Sequence, residues 1–451
     1  MRSRRRAQRI PELDGFRVLF VFIVSVFHIW QQSWLKPELF GANVEFIARA
    51  GYICVDATIL LSAFLLYLPW VRSPVPPESV GRFYRKRAAR ILPSLFFVTL
   101  FMLFAYALPQ SVYQQANKPP VWKDLLTRFT LTFPFFRDTY YSSPLGGSSW
   151  TIAVEAHFYL LFPFIARAAK KRPGWVVGGM TAFAAYFRIL CLWTMSSYDM
   201  VLNQLANFLD VYALGMVCAM LFPRLTALRD EMRQRGPGWR ALLQATATLA
   251  FAVSAAGWLL LLKFQSGFSA PGLQVPQMIL RPAFALCFAG MLLSLPLCAW
   301  PLRKLFGNPV TRFLSLISMN YYLLHQNIAA LLRTGPICDW LAEPRDWLGG
   351  QPILASVYAE PNVAGDHAWQ VRYTWLAFGV SLAAAILVTF LIERPCARLI
   401  LRRRTRREPP ETPDLPNPFE ERRNPDETPD RLSAMPDALP APGRPGGGVG
   451  R

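Results

Sequence analysis

Charge is scarce in this chain: 17% of its 451 residues are Asp, Glu, Lys or Arg, while 53% are hydrophobic. A soluble chain of this length divides into two or three domains with about a quarter of its residues charged, so that class is excluded. Histidine is rarer still, with four copies far apart. The seven cysteines (Cys54, Cys191, Cys218, Cys287, Cys298, Cys338 and Cys396) include no CxxC pair, and most sit in apolar segments. No zinc-type ligand set can be written from such spacing, no metal is expected, and the cysteines read as small core hydrophobes. Acid is the third deficit: 28 Asp and Glu against 48 Lys and Arg leave a formal charge of +20. The basic residues lie in short stretches between apolar segments and not on one folded face, so nucleic acid is not the expected partner. Internal repeats and the paired broken segments of many transporters are missing as well.

What the chain does have is long dry runs, such as 96–108, 241–262 and 376–392. Runs of that kind belong in hydrocarbon. Backbone groups in lipid must be satisfied within the segment, so the spans are expected to be helices. The expected fold is all-α: a polytopic membrane protein of about ten transmembrane helices near 16–34, 50–71, 91–108, 149–168, 175–195, 203–222, 241–262, 282–300, 313–332 and 373–392. The basic N-terminus resembles a signal peptide. However, Asp14 and Arg17 open the apolar stretch and no small-x-small cleavage site follows Trp34, which favours a retained first span. Around ten spans, the N-terminus, the even-numbered connections and the stretch to Arg407 hold 29 Lys and Arg, against 11 in the other connections. That asymmetry places both termini in the cytoplasm of a cell that carries the protein, multi-pass, in its bacterial inner or plasma membrane. Residues 1–407 are expected to form the membrane domain, with lipid as its surroundings. Residues 408–451, with eleven prolines in 44 positions, are expected to be a disordered Pro-rich cytoplasmic tail.

Ionisable groups inside spans are costly and need a reason. In PELDGFRVLFVFIVSVFH, Arg17 and His28 are eleven apart and lie about 20° from each other on a helix, with Asp14 about 60° from Arg17. In SSWTIAVEAHFYLLFP, Glu155 must be protonated, paired or facing water. His157, about 200° around the same helix, faces elsewhere and is assigned a structural role. Asn203, Asn207 and Asp210, at spacings of four and three, share a face that either lines an acceptor channel or glues helices together. The run from Arg82 through Arg85, Lys86 and Arg87 to Arg90 has two readings: an orientation signal, or an anion clamp for the nucleotide part of coenzyme A. Counted from the expected span ends, His28, Asp56, Glu155, Asp210 and His325 all lie about 9–11 Å below the outer boundary, which predicts one polar layer around the reaction centre. His28 and Glu155 are expected to face a common cavity within it.

Six blocks carry a resemblance: PELDGFRVLF to His28, VDATILLSAFLL (55–66), FYRKRAARILP (83–93), SSWTIAVEAHFYLLFP (148–163), ISMNYYLLH (317–325) and IERP (392–395). In this order, over roughly residues 10–400, they resemble the membrane-bound acyltransferase type 3 family. That family O-acylates bacterial surface polysaccharides, lipopolysaccharide, peptidoglycan and some small glycosylated or macrolide products. The resemblance implies that His28 is the catalytic histidine, supported by Asp14 and Arg17, that Glu155 is the fourth-span glutamate, and that Arg87 and Arg90 belong to the motif linked to the acyl donor. Arg85 and Lys86 are grouped with the donor contacts. Asp56, Asn207, Asp210 and His325 are grouped with the acceptor contacts. Ala63 stands where the family usually has glycine, and Ala57-Thr58 replace a more aromatic pair. No fused extracellular hydrolase-like domain is expected, which would leave the acceptor to the membrane domain or a partner.

The expected activity is therefore O-acylation, with no tightly bound cofactor. An acyl group, acetyl by default, moves from cytoplasmic acyl-CoA to a hydroxyl of a carbohydrate or glycosylated acceptor. Such transfer needs a base for the hydroxyl proton and donors for an oxyanion, and an imidazole that titrates near neutrality suits the first task. Direct transfer and an acyl-enzyme on His28 both remain open. Two other classes compete: a proton-coupled transporter or flippase using His28, Asp56 and Glu155 as a relay, and a silent scaffold that leaves His28 and Glu155 without purpose. The charge asymmetry predicts that an engineered cysteine near Asp339 is labelled by a membrane-impermeant reagent on intact cells and one in the tail is not. Labelling of the tail from outside would overturn the topology.

Overall fold

The computed structural model describes residues 9–269, 272–334, 336–354 and 366–402. The tail at 408–451 and its boundary with the membrane domain lie outside the described residues. Ten long helices carry the chain: α1 Glu12–Ser33, α2 Glu45–Arg72, α3 Val80–Ala107, α4 Trp150–Lys171, α5 Pro173–Thr194, α6 Leu205–Arg235, α7 Pro237–Ser266, α8 Gln274–Leu297, α9 Pro309–Arg333 and α10 His367–Leu401. Among the described residues, nine of these, all but α9, are long and apolar enough to cross a membrane. The 25-residue α9 falls outside that group because Asn320, His325, Gln326 and Asn327 dilute its apolar content. It can carry them because it packs between α1 and α10, and a helix shielded by neighbours need not be dry. The only strands among the described residues are two small hairpins, Glu38–Leu39 with Ala42–Asn43 and Pro344–Arg345 with Gln351–Pro352. The chain is an all-α, multi-pass membrane protein.

Two span starts differ from expectation at a charge, and one expected helical face is broken. The third span begins at Val80 and not near residue 91, so the basic run occupies the first turns of α3. Ser79 caps it by accepting from the Arg82 N–H at 3.4 Å. Long basic side chains can lie along a helix and reach polar surroundings from it, so a basic run need not end a span. The eighth span begins at Gln274 and not at Pro282, because Arg281 is neutralised inside the bundle. The third difference concerns Asn203, Asn207 and Asp210, which do not share one α-helical face. Asp199–Leu202 is a separate turn, Leu205–Phe208 is 3₁₀, and the α-helical part of α6 starts at Leu209. The break turns Asn203 to the Tyr140 hydroxyl, 2.5 Å away, and Asn207 to Arg188.

Close helix packing depends on two glycines. A Cβ at Gly215 of α6 would lie 2.4 Å from the Leu60 carbonyl and 2.7 Å from the Ala63 Cβ of α2. Gly215 therefore makes the room that Ala63, standing where the resembled family has glycine, takes up. In the PELDGFR block, a Cβ at Gly15 would lie 2.3 Å from the Phe306 carbonyl. The start of α1 is thus laid directly on the short helix Trp300–Phe306, and the Arg303 Nε donates to Glu12 at 2.8 Å.

A buried ionic network joins α2, α5, α6 and α8. Arg281 Nε donates to Asp56 at 3.0 Å, its Nη1 donates to the Asn207 carbonyl at 3.1 Å, and its guanidinium lies 3.9 Å from the Phe208 ring centroid. Arg188 holds both Asp210 oxygens at 2.7 Å and the Asn207 side chain at 2.6 Å. All five polar residues are buried. Removing one member of a buried pair strands the other charge and costs about 3–5 kcal/mol, whereas removing both is far milder. Arg281→Met is therefore expected to lower the melting midpoint of the purified protein strongly, and Arg281→Met combined with Asp56→Asn to recover most of the loss. Thermal unfolding in detergent checks this, and equal melting of all three proteins would show that the network carries no stability.

Candidate active site

Five helices, α1, α2, α3, α4 and α9, leave a cavity of about 110 Å³ between them. Arg17 enters it from α1, Thr58 and Ser62 from α2, Arg87 and Arg90 from α3, Thr151, Glu155 and Tyr159 from α4, and Ser318 and Tyr322 from α9. Helical periodicity explains the selection on α3: positions 83, 87, 90 and 91 share a face. Arg87 lies over the rings of Phe83 (5.3 Å) and Tyr159 (5.5 Å), and cation–π contacts of this kind hold a guanidinium without neutralising it. Lys86, one step around the helix, pairs instead with Glu78, and neither it nor Arg85 lines the cavity. Glu155 accepts from the Tyr159 hydroxyl at 2.9 Å, one turn along α4.

A second pocket, of about 600 Å³, opens at the end of the bundle where α1 and α9 begin. It shares Arg17, Arg90 and Met319 with the first and adds Arg9, Asp14, Arg312, Ser315, Glu393 and Arg394. Asp14 accepts from Arg9 at 2.5 Å. The ion pair at the mouth of α1 is thus made with Arg9, and Arg17 is left in both pockets.

His28 lies eleven residues beyond Arg17, about 16 Å along the helix, and is not a lining residue of either pocket. Its Nδ1 is 3.1 Å from Gln31 Oε1, and its ring centroid is 5.2 Å from that of His325 on α9. His325 is fully buried, with Nδ1 3.2 Å from the Tyr321 carbonyl. A carbonyl only accepts, so that nitrogen carries a proton, and in the neutral ring Nε2 is then an acceptor. It is buried without a partner. Tyr322, 5.5 Å from the His325 ring, lines the cavity that holds Glu155. The five groups expected at one depth accordingly occupy three neighbourhoods: His28 with His325, Glu155 with the arginine-lined cavity, and Asp56 with Asp210 in the ionic network. His157 faces away, with Nε2 3.0 Å from the Leu131 carbonyl and its ring stacked on Phe135 at 5.1 Å.

The connection between α3 and α4 fixes the start of α4. Buried Arg128, 3.6 Å from Asp124, donates to the Gly146 carbonyl at 2.7 Å and to the Ser149 hydroxyl. Asp124 also accepts from Tyr113 at 2.8 Å and Ser143 at 2.6 Å. Burial beside this carboxylate pushes the Tyr113 phenol up, and a hydrogen bond from Lys123 holds Asp138 below the usual carboxylate range. Ser148, the next step, donates to the Tyr322 carbonyl at 2.9 Å and ties α4 to α9 beside the cavity. Among the described residues no three His, Cys, Asp or Glu side chains come together as a metal site requires.

Sequence reasoning missed Arg188, Arg281, Tyr159, Tyr322, Arg312 and Arg394. Arg188 stood inside an apolar run, which by itself signals a buried partner. Arg312 lies at the start of α9 and Arg394 in the last turns of α10, and nothing in one dimension shows that they converge.

The profile of an acyltransferase domain, the type 3 family, matches residues 10–394. Acyltransferase MdmB of Streptomyces mycarofaciens is 29% identical over 183 residues, covering 39% of this chain and 45% of that protein. Peptidoglycan O-acetyltransferase OatA of Listeria monocytogenes is 22% identical over 166 residues, covering 34% of this chain and 24% of its own. The match thus spans less than half the length of each relative. No solved structure matches the chain.

Proposed function

Because the chain belongs to the type 3 membrane acyltransferase family, we propose that it moves an acyl group, acetyl by default, from cytoplasmic acyl-CoA to a hydroxyl of a carbohydrate-type acceptor. The observation that carries this reading is the cavity in which Arg17, Arg87, Arg90 and Glu155 meet from three helices. Unneutralised guanidinium groups beside a carboxylate and several hydroxyls suit an acyl donor with an anionic end and a carbonyl that becomes an oxyanion. The name of OatA, a peptidoglycan O-acetyltransferase, supports a carbohydrate acceptor.

In this mechanism the His28 imidazole takes the proton of the acceptor hydroxyl as its oxygen attacks the thioester carbonyl. A C–O bond forms, the C–S bond breaks, and the proton passes from His28 to the leaving thiolate. Arg17 holds the anionic end of the donor, with Thr58 and Ser62 in the wall of the same cavity. Asp14 holds Arg9 at the mouth, and Glu155 is oriented by Tyr159. Of the groups expected to bind the acceptor, His325 has a bare ring nitrogen beside His28. Asp56, Asn207 and Asp210 are committed to arginines and act by holding α2 and α6 in place.

His28→Ala should lower acyl transfer by about 10²–10⁴-fold while membrane insertion is retained. Transfer is read by mass spectrometry of cell-surface glycans and secreted metabolites, and activity within about threefold of wild type removes His28 from the mechanism. Arg87→Ala and Arg90→Ala should each weaken acyl-CoA binding by about 1.5–3 kcal/mol. Lys86→Ala, on the face paired with Glu78, should not. Equal losses in all three variants would reduce the run to a diffuse charge effect.

A further inference from the structure

We propose that the pocket where α1 and α9 begin is a phosphate site, in which Arg312 and Arg394, with Arg17 and Arg90, grip the diphosphate and ribose phosphate of the donor. The inference rests on the acyl-CoA reading above and assigns the donor's anionic half to residues outside the basic run of α3. Five arginines line this pocket against two carboxylates. Asp14 pairs within the pocket with Arg9 at 2.5 Å, which leaves four arginines, and Glu393 accepts from the Asn320 amide at 2.6 Å. No carboxylate makes an ion pair with Arg17, Arg90, Arg312 or Arg394 among the described residues.

An orientation signal does not account for this arrangement. Positive residues that only set topology extend from helix ends into water, separately. Here they come from four helices into one concavity, where like charges repel. Arg312 is also in the first turn of α9, where the helix dipole disfavours a cation and favours an anion. Ser315, one turn on, adds a hydroxyl to the wall. A bound polyanion relieves the repulsion and uses the dipole, and guanidinium forks fit phosphate oxygens in pairs. The pocket meets the Glu155 cavity at Arg17, Arg90 and Met319. A phosphate-bearing head seated here therefore directs its acyl-carrying arm toward Glu155.

Anionic lipid headgroups share this chemistry, so the test uses the full-length protein in nanodiscs of phosphatidylcholine alone and, in parallel, with phosphatidylglycerol added. Binding of coenzyme A without an acyl group is read first by calorimetry. Wild type should bind it in pure phosphatidylcholine, with Arg312→Ala and Arg394→Ala each weakening it by about tenfold or more. Arg312→Lys, which keeps the charge but loses the fork, should fall between. Lys304→Ala, a cation at the same end that stacks on Trp300 outside the pocket, should bind as wild type does. In turnover, the preference in kcat/KM for acetyl-CoA over acetyl-pantetheine, which lacks the phosphates, should fall by about the same factor in the two alanine variants. Coenzyme A binding that depends on Arg312 in the absence of any acyl transfer would sink the proposed activity and leave the site standing. Three results would overturn the site: no coenzyme A binding by wild type, equal binding by wild type and both alanine variants, or a stability difference between them that appears only with phosphatidylglycerol.

Discussion

An arginine held in hydrocarbon needs a counter-charge or a polar space, and the bundle is arranged around how each of its buried arginines meets that need. Arg281 and Arg188 take the first route. Each lies within 3.0 Å of a carboxylate oxygen, and Asn207 bridges the two pairs. Four helices that are distant in sequence, α2, α5, α6 and α8, are thereby tied at one point. The approach of α2 to α6 at Gly215 packs the same pair of helices. Arg128 does likewise for the α3–α4 connection, with Asp124 as its counter-charge.

Arg17, Arg87 and Arg90 take the second route. They face cavities, and Arg87 is steadied by aromatic faces that do not cancel its charge. The same residue type therefore serves as scaffold on one side of the bundle and as site on the other, and the difference is whether a carboxylate is within reach. A paired arginine has little field left for a ligand. An unpaired one in a low-dielectric wall keeps most of it. The division also explains why α2 belongs to both halves: Asp56 is committed to Arg281, whereas Thr58 and Ser62 turn toward the cavity.

Most of the helices were legible in the sequence because their apolar runs are long and dry. The errors fall where charge was taken to mark the outside. Residues 83–90 and 274–281 are helical because one set of cations reaches pockets and the other reaches Asp56. Asp56 and Asp210 were read singly as acceptor contacts, although two unexplained acids and two unexplained arginines, Arg188 and Arg281, in neighbouring spans already balanced in number. Which acid meets which arginine depends on helix packing, and periodicity does not encode packing. The break before Leu209 was hidden for a similar reason: spacings of four and three describe a helix only when the backbone continues as one. For the candidate site, positions 17 and 155 were found because each is an ionisable group where none is cheap, and positions 87 and 90 because they belong to the basic run that carries the family resemblance. Tyr159 and Tyr322 were missed because tyrosine in a span is ordinary.

The order of groups along α1 and α9 limits what can react here. The two helices run side by side in the same direction: Phe22 stacks on Tyr321 at 4.6 Å, Ser25 meets the Tyr321 hydroxyl at 2.7 Å, and His28 meets His325. On α1, positions 14, 17, 21 and 28 share a face; on α9, positions 312, 315, 319 and 322 do the same, and the packing of the two helices sets His325 beside His28. Adjacent parallel stripes form one polar track, with arginines at its start, hydroxyls and Glu155 beside its middle, and two imidazoles near its end. Arg17 and His28 are about 16 Å apart on that track. A compact donor held by the arginines would leave its carbonyl far from His28, whereas an elongated donor with charge at one end and the acyl group at the other can span the interval. In the reaction proposed above, the donor fills the arginine end and the acceptor hydroxyl arrives from the His28 end. The order of side chains on two helices is thus compatible with the proposed transfer within the bundle, in which the two substrates do not have to share an entrance.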